Sequence, residues 1–555
     1  MVKWKKAFHS LEISPSDYLK RFVMPIMLLG IAFPVLIQIA APSIMEGYIK
    51  LIFYLIPVFM LVLVVIYPIT SLESKKMQIN QNIHYYITHM GVLATSQMQL
   101  KELFARVSRN DAYEYLSKET GKIYMLMEDW NISFAQACRF IARRTPSDIF
   151  ADFLDRFAHA VDSGENVESF LKSEQKVVMN DFDTMYKEAL HSIDSVKEIF
   201  MSMVMALIFM VSFAILLPVI MGIDASMLMI GSIILFLGAE ALLVYFTKMK
   251  VPKDRIWHTL DIETEADKAI RISFPVSIIV CMLVAIPLLM WGKLPITIEI
   301  AAIMTPLVIT GRVASREENK IKRKDDNFSS FIRSLGASAG ARGGLIKESL
   351  RHLIYHDFGP LTRDVRDLYS RLNTRINKKR SWEFFAAGTG SNLIERFGTI
   401  FSEGTHLGGK PEVIGDIIGD NVMEINSLRK LRYSSSSSLV GELYGLTGGI
   451  AFTMFLSLYI VKMLGDVFSH ANIPQGMSFG LSVSAATSVN IDFLTLLIMA
   501  MLVGHSFLSS VLIRVVDGGH MFNVYTHFVG MLWVSAICAE LTIKISSSLI
   551  GGSFS

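Results

Sequence analysis

Cysteine is nearly absent. The three present among 555 residues, Cys138, Cys281 and Cys538, stand far apart, which leaves no C-x-x-C metal pair and no disulfide framework. Charge is also scarce, at 19% of residues against about a quarter in soluble domains. With 52% hydrophobic residues and a mean hydropathy of +0.43, that scarcity excludes both a disordered chain and a soluble enzyme. A complete phosphate loop, a dinucleotide fingerprint, an H-E-x-x-H zinc motif and a nucleophile constellation are all missing, so neither enzymatic activity nor a cofactor is expected. The net charge of +3 is small, and no nucleic-acid partner is expected.

What the chain has instead is long uncharged apolar runs. Runs of about 18 residues or more can cross the hydrocarbon core. Nine are expected, at 22–41, 49–70, 201–221, 227–246, 272–291, 294–310, 440–464, 491–513 and 524–543. The first is too long for a signal-peptide core and lacks a small-residue cleavage site, so it is read as a retained span. With the N-terminus in the cytoplasm and alternating spans, 49 of the 53 basic residues fall on the inside, as the positive-inside rule requires. The C-terminus is then extracellular. The expected organisation is all-α: 1–70 with two spans, a cytoplasmic helical domain at 71–198, four spans in 199–310, a second cytoplasmic helical domain at 311–439, and three spans in 440–555.

The two cytoplasmic segments repeat one another. Asn82 to Gly91 aligns with Asn327 to Gly336, and Leu100-Lys101-Glu102 with Ile346-Lys347-Glu348. Later, Leu154-Asp155-Arg156-Phe157 and Gly164 match Ile394-Glu395-Arg396-Phe397 and Gly404. Apolar residues recur at three and four, as in Phe150, Phe153, Leu154, Phe157 and Val161, which predicts amphipathic helices joined by short turns such as Thr145-Pro146 and Gly359-Pro360. The charges differ between copies. Residues 71–198 carry 15 bases and 19 acids, and residues 311–439 carry 22 and 15.

Three motifs imitate chemistry without completing it. Gly404 to Lys410 has phosphate-loop spacing, but Pro411 replaces the hydroxyl that would hold magnesium, so a turn between two helices is expected. His352 and His356 lie one helical turn apart, with Leu353 where a zincin needs glutamate. Asp517-Gly518-Gly519-His520 reads as a tight cytoplasmic turn. Ionisable residues within spans are costly and invite a functional reading. They are Glu240 and Glu299, without sequence partners, and Glu540 with Lys544 at pairing distance on one helix face.

Repeat and topology together resemble the type II secretion F family, the polytopic platforms of type IV pilus-like machines. The long chain, the Ser434–Ser438 run and the Asp517-Gly518-Gly519 loop resemble its archaeal branch, which serves the archaellum. That resemblance implies an integral-membrane platform coupling a hexameric secretion ATPase to insertion, and in archaella rotation, of filament subunits. It also implies accessory archaellum motor proteins and pilin-like archaellins as partners, and a homodimer or small homo-oligomer. An adhesion-pilus platform fits the same pattern; a secondary transporter is the rival from another class. Charge and position nominate an ATPase-contact surface: Lys248, Lys250, Lys253 and Arg255 in the loop 247–271, with Lys320, Lys322, Arg323, Lys324, Lys378, Lys379 and Arg380 in the second domain. Some of these bases also suit contact with anionic membrane lipids.

Overall fold

The computed structural model of the chain describes residues 14–40, 48–221, 225–252, 254–374, 376–470 and 491–551. Every regular element among them is helical, apart from an isolated bridge between Trp257 and Ser391. In chain order the helices are α1 (Met24–Ala40), α2 (Tyr48–Ala94), α3 (Leu100–Ser108), α4 (Tyr115–Glu128), α5 (Phe134–Ala142), α6 (Asp148–Asp162), α7 (Val167–Met221), α8 (Ala225–Lys250) and α9 (Glu265–Trp291). They continue as α10 (Ile296–Met304), α11 (Leu307–Gly340), α12 (Ile346–Leu353), α13 (Thr362–Asn373), α14 (Lys378–Thr389), α15 (Asn392–His406), α16 (Pro411–His470), α17 (Ile491–Asp517) and α18 (Val524–Gly551).

Six of these, α7, α8, α9, α16, α17 and α18, are long and apolar enough to cross a membrane. A seventh span results if α10 and α11, bent by 44° at their break, are taken together. The protein is therefore multi-pass, with six or seven candidate spans among the described residues where nine were expected. The other two, at 22–41 and 49–70, fall on α1, which runs for 17 described residues, and on the start of α2. Residue 41 lies outside the described residues.

The element order repeats. A long helix (α2 or α11) is followed by a short helix, a 3₁₀ turn (Asp111–Tyr113 or Gly359–Leu361), three helices, and a very long helix (α7 or α16). At 1.5 Å rise per residue, the 55 residues of α7 and the 60 of α16 extend about 80 and 90 Å. That is far more than the ~30 Å hydrocarbon thickness. Each leaves its span as a continuous helix.

The chain divides into two compact units, Met1–Thr184 with Ile400–Ile417, and Met185–Thr399 with Ile418–Ser555. In the first, Ser133 and Ser147 cap α5 and α6 through their hydroxyls. The apolar face of α6 then buries Phe150, Phe153 and Phe157 completely. Phe134 packs edge-on against Phe104 and Phe157, with ring centroids 5.1 and 4.9 Å away. The segment Ile400–Ile417 joins this unit by close backbone approach: a Cβ on Gly404 would overlap Val92. Glu403 also lies 3.2 Å from His89 Nε2. Gly404 is therefore helical, inside α15. Its repeat counterpart Gly164 takes φ +74° just after α6. The glycine that ends α15 in the left-handed region is Gly408, φ +88°. Pro411 is the first residue of α16, as the helix–turn–helix reading of the phosphate-loop imitation expected.

Candidate coupling site

The second unit contains a buried polar junction that brings together four stretches distant in sequence. The first is the loop after α8. Its backbone is stitched to the start of α15 by His258 N–H to Gly390 O and Asn392 N–H to Ile256 O, both 2.9 Å. The carboxylate of Glu395, from the repeated signature, accepts from Thr259 N (2.7 Å) and Thr259 Oγ1 (2.8 Å). A capping box between Thr264 and Asp267 then opens α9.

Arg429 of α16 is the centre of the junction. Its guanidinium grips Asp254 of the loop through two hydrogen bonds, of 2.7 and 2.6 Å, and donates to Asp325 of α11 at 2.9 Å. The side chains of Arg429 and Asp325 are only 4% and 3% exposed. Ser391 donates its hydroxyl to the other oxygen of Asp325, and Asn426 donates to the Asp325 carbonyl. Burial pushes the Asp325 carboxyl up to about 6, outweighing the pull of Arg429 in the opposite direction.

Arg432, one turn further along α16, caps the end of α17. It donates to Val516 O (2.6 Å) and Val515 O (3.2 Å), carbonyls without helical partners, and to Pro252 O in the loop (3.2 Å). The turn after α17 explains the Asp517-Gly518-Gly519-His520 sequence. Gly518 has φ +83°, and a Cβ there would stand 2.7 Å from the Arg432 guanidinium; a Cβ on Gly519 would overlap the Glu318 carboxylate. Glu318, on α11, accepts from His520 N–H at 2.8 Å. Lys322 closes the ring. Its ammonium lies 2.8 Å from Glu318, 3.6 Å from Asp517 and 3.8 Å from the centre of the Tyr433 ring. The loop, α11, α16 and the α17 terminus thus share one charge network, and displacing one strains the bonds of the others.

The nominated bases fall into two groups. Lys322 belongs to the network, and Lys324 is turned inward, 2.9 Å from Asp364 and 3.0 Å from Gly388 O. Lys248, Lys250, Arg255, Lys320, Arg323, Lys378, Lys379 and Arg380 are exposed. Lys320 pairs with Glu317 and Arg380 with Glu383. Lys253 lies outside the described residues. Lys378, Lys379 and Arg380 occupy the first turn of α14, where cations oppose the helix dipole and the cap falls to Asn377. Such placement adds nothing to the helix itself.

The signature residues also separate by role. Phe157 and Phe397 are core residues with no exposure. Arg156 bonds the buried Glu174 of α7, with Nε 2.8 Å from Oε1, so it is not simply solvated; Asp155 is exposed. Arg396 is half-buried. Within the spans, Glu240 meets His505 of α17 at 2.6 Å. Glu540 accepts from Thr297 at 2.6 Å rather than pairing with Lys544, which is exposed, and Glu299 keeps a buried oxygen without a hydrogen bond. No group of three potential metal ligands occurs among the described residues. Sequence reading missed Arg429, Arg432 and His505. The available signal was two arginines at i and i+3 just before a span, and a lone histidine inside one.

Two repeated series of helices, each ending in a very long helix that runs on into a membrane span, define a multi-pass membrane protein. The model of the type II secretion system (T2SS) protein F family matches residues 86–215, from the end of α2 through most of α7. Over 97% of its length the chain is 38% identical to flagella accessory protein J of Methanocaldococcus jannaschii, and it is 36% identical, again over 97%, to that of Methanococcus voltae. Each alignment also covers 97% of the relative. The chain belongs to the flagella accessory protein J family. No solved structure matches it.

Proposed function

We propose that this protein is the integral-membrane platform of an archaellum, the archaeal flagellum, built as a type IV pilus-like machine. The full-length likeness to two flagella accessory proteins carries the reading, and their names favour the archaellum over an adhesion pilus. In this reading the N-terminus of the chain lies in the cytoplasm and its C-terminus outside. Segments 71–198 and 311–439 are homologous cytoplasmic helical domains. A hexameric motor ATPase binds the exposed bases of the second domain and of the loop 247–271, while archaellins and accessory motor proteins meet the rest of a dimeric or small oligomeric platform.

The work of the protein is mechanical rather than enzymatic. Force applied to the second domain reaches the loop through Glu395 and Thr259, and the α17 terminus through Arg432. Continuous α7 and α16 carry it into the membrane. Chromosomal deletion tests the reading: cells should lose surface archaella and swimming, and the intact gene should restore both. Deletion cells that still swim, or that lose only adhesion filaments, would contradict it. Solute uptake by vesicles holding only this chain would favour a transporter.

A further inference from the structure

Glu240 on α8, His505 on α17 and Thr447 on α16 form a hydrogen-bonded chain inside the apolar part of the second unit. The Glu240 and His505 side chains are both 0% exposed, with His505 Nδ1 2.6 Å from Glu240 Oε1. On the other side of the ring, Nε2 lies 3.2 Å from Thr447 Oγ1. Thr447 fixes the protons. Its hydroxyl gives its single hydrogen to Leu443 O at 2.7 Å, so toward the imidazole it can only accept. Nε2 therefore carries a hydrogen. A further proton must lie between Nδ1 and Oε1, because two bare lone pairs would repel at 2.6 Å. The pair is then neutral as a unit, whether written as acid and imidazole or as carboxylate and imidazolium.

We propose that Glu240 and His505 form a proton-binding site within the membrane that holds one shared proton per chain, and that its occupancy permits α8 to pack against α17. Among the described residues, no lysine or arginine pairs with Glu240 or His505. Glu240 Oε2 and the hydroxyls of Ser506 and Ser509 are buried without hydrogen bonds, and the Phe236 ring stands 5.9 Å from the imidazole. Other ionisable groups on the helices around the site are engaged elsewhere or exposed. On α16, Glu442 pairs with Lys197. On α17, Arg514 and Asp517 sit at the helix end, and Lys248 and Lys250 end α8. On α18, His527 meets Tyr444 and Glu540 meets Thr297. Next to His505, Gly504 approaches Leu237 so closely that an added Cβ would stand 2.8 Å from its methyls. Losing the proton would thus leave a bare carboxylate beside the close approach of Gly504 to Leu237, in apolar surroundings that disfavour it. Conversely, a movement parting the two helices would admit water and release the proton. This site is independent of the filament reading.

The test uses the full chain in lipid nanodiscs with ¹⁵N-labelled histidine, the His505 signal being assigned by its loss in His505→Gln. At neutral pH, Nε2 should be protonated and Nδ1 should show a shared proton. A bare Nε2, or Nδ1 and Glu240 without a proton between them, overturns the proposal on wild-type protein alone. Melting curves supply the second arm. Glu240→Gln, an uncharged amide that can donate to Nδ1, should melt as wild type does at neutral pH and should lose the alkaline fall in melting temperature that wild type shows. Glu240→Ala should melt lower at every pH. A Gln variant as unstable as the Ala variant, or wild type matching Gln throughout the alkaline range, would refute proton-dependent packing.

Discussion

Replacing Arg429 by methionine keeps an unbranched apolar stem and removes the guanidinium with its charge. In the native junction the guanidinium makes two bonds to Asp254 and one to Asp325, which is 3% exposed. The variant would bury Asp325 without its counter-charge, and removal of one partner from a buried pair costs about 3–5 kcal/mol. Part of that loss is recoverable. Asp325→Asn in the same chain removes the stranded charge but can still accept from Ser391, so the double variant should regain about half of it. Unfolding of the purified protein in mild detergent, followed by near-ultraviolet circular dichroism, measures both steps. Hydrogen exchange adds a local readout: amides of residues 254–260 should lose protection in Arg429→Met before the rest of the second unit does. A loss below about 1 kcal/mol with unchanged exchange in the loop would refute the idea that Arg429 ties loop and helices together.

The remaining expectations concern the same surfaces. The raised carboxyl of Asp325, about 6 against a reference of 3.8, means the folded state holds its proton more tightly than the unfolded state. Its contribution is therefore greatest below the reference value and is lost as pH rises through about 6. Acidifying from about 7.5 to 5.5 should stabilise wild type relative to Asp325→Asn by about 1 kcal/mol, and parallel pH curves would contradict that. Gly518→Ala, forced to keep φ +83° beside Arg432, should lose about 1–3 kcal/mol in thermal unfolding. Gly519→Ala should displace Glu318 and deprotect the His520 amide in hydrogen exchange. Reversing Lys378, Lys379 and Arg380 to glutamate should leave the melting temperature within a degree or so, since these side chains are exposed, while capture of the motor ATPase falls at least tenfold. Undiminished capture would remove these residues from the contact.

Much of this architecture is legible in the sequence because hydropathy and helical periodicity act locally. The runs at 201–221, 227–246, 272–291, 294–310, 440–464, 491–513 and 524–543 all coincide with apolar helices, and the aromatic face around Phe157 is core. The junction was not legible, since it depends on tertiary pairing. Nothing local distinguishes Arg429, which is buried, from Arg380, which is exposed, and Asp254 sits unremarked amid basic neighbours. The basic run 320–324 shows the same limit. Its residues follow the helix repeat around α11, so Lys322 and Lys324 face partners while Arg323 faces outward. Pairing of Glu540 with Lys544 was a fair local expectation, but Thr297 on another helix offers a hydroxyl at 2.6 Å. Gly404 was matched to Gly164 by sequence alone; the close approach of Val92 gives it a different reason to be glycine.

The most direct measurement of the central claim is gentle detergent extraction of the tagged protein from its native cell, with associated proteins identified by mass spectrometry. The account predicts a secretion-type ATPase together with archaellum components, and loss of the ATPase when Lys378, Lys379 and Arg380 are reversed in charge. Recovery of the protein alone, or with a solute-binding protein, would contradict it.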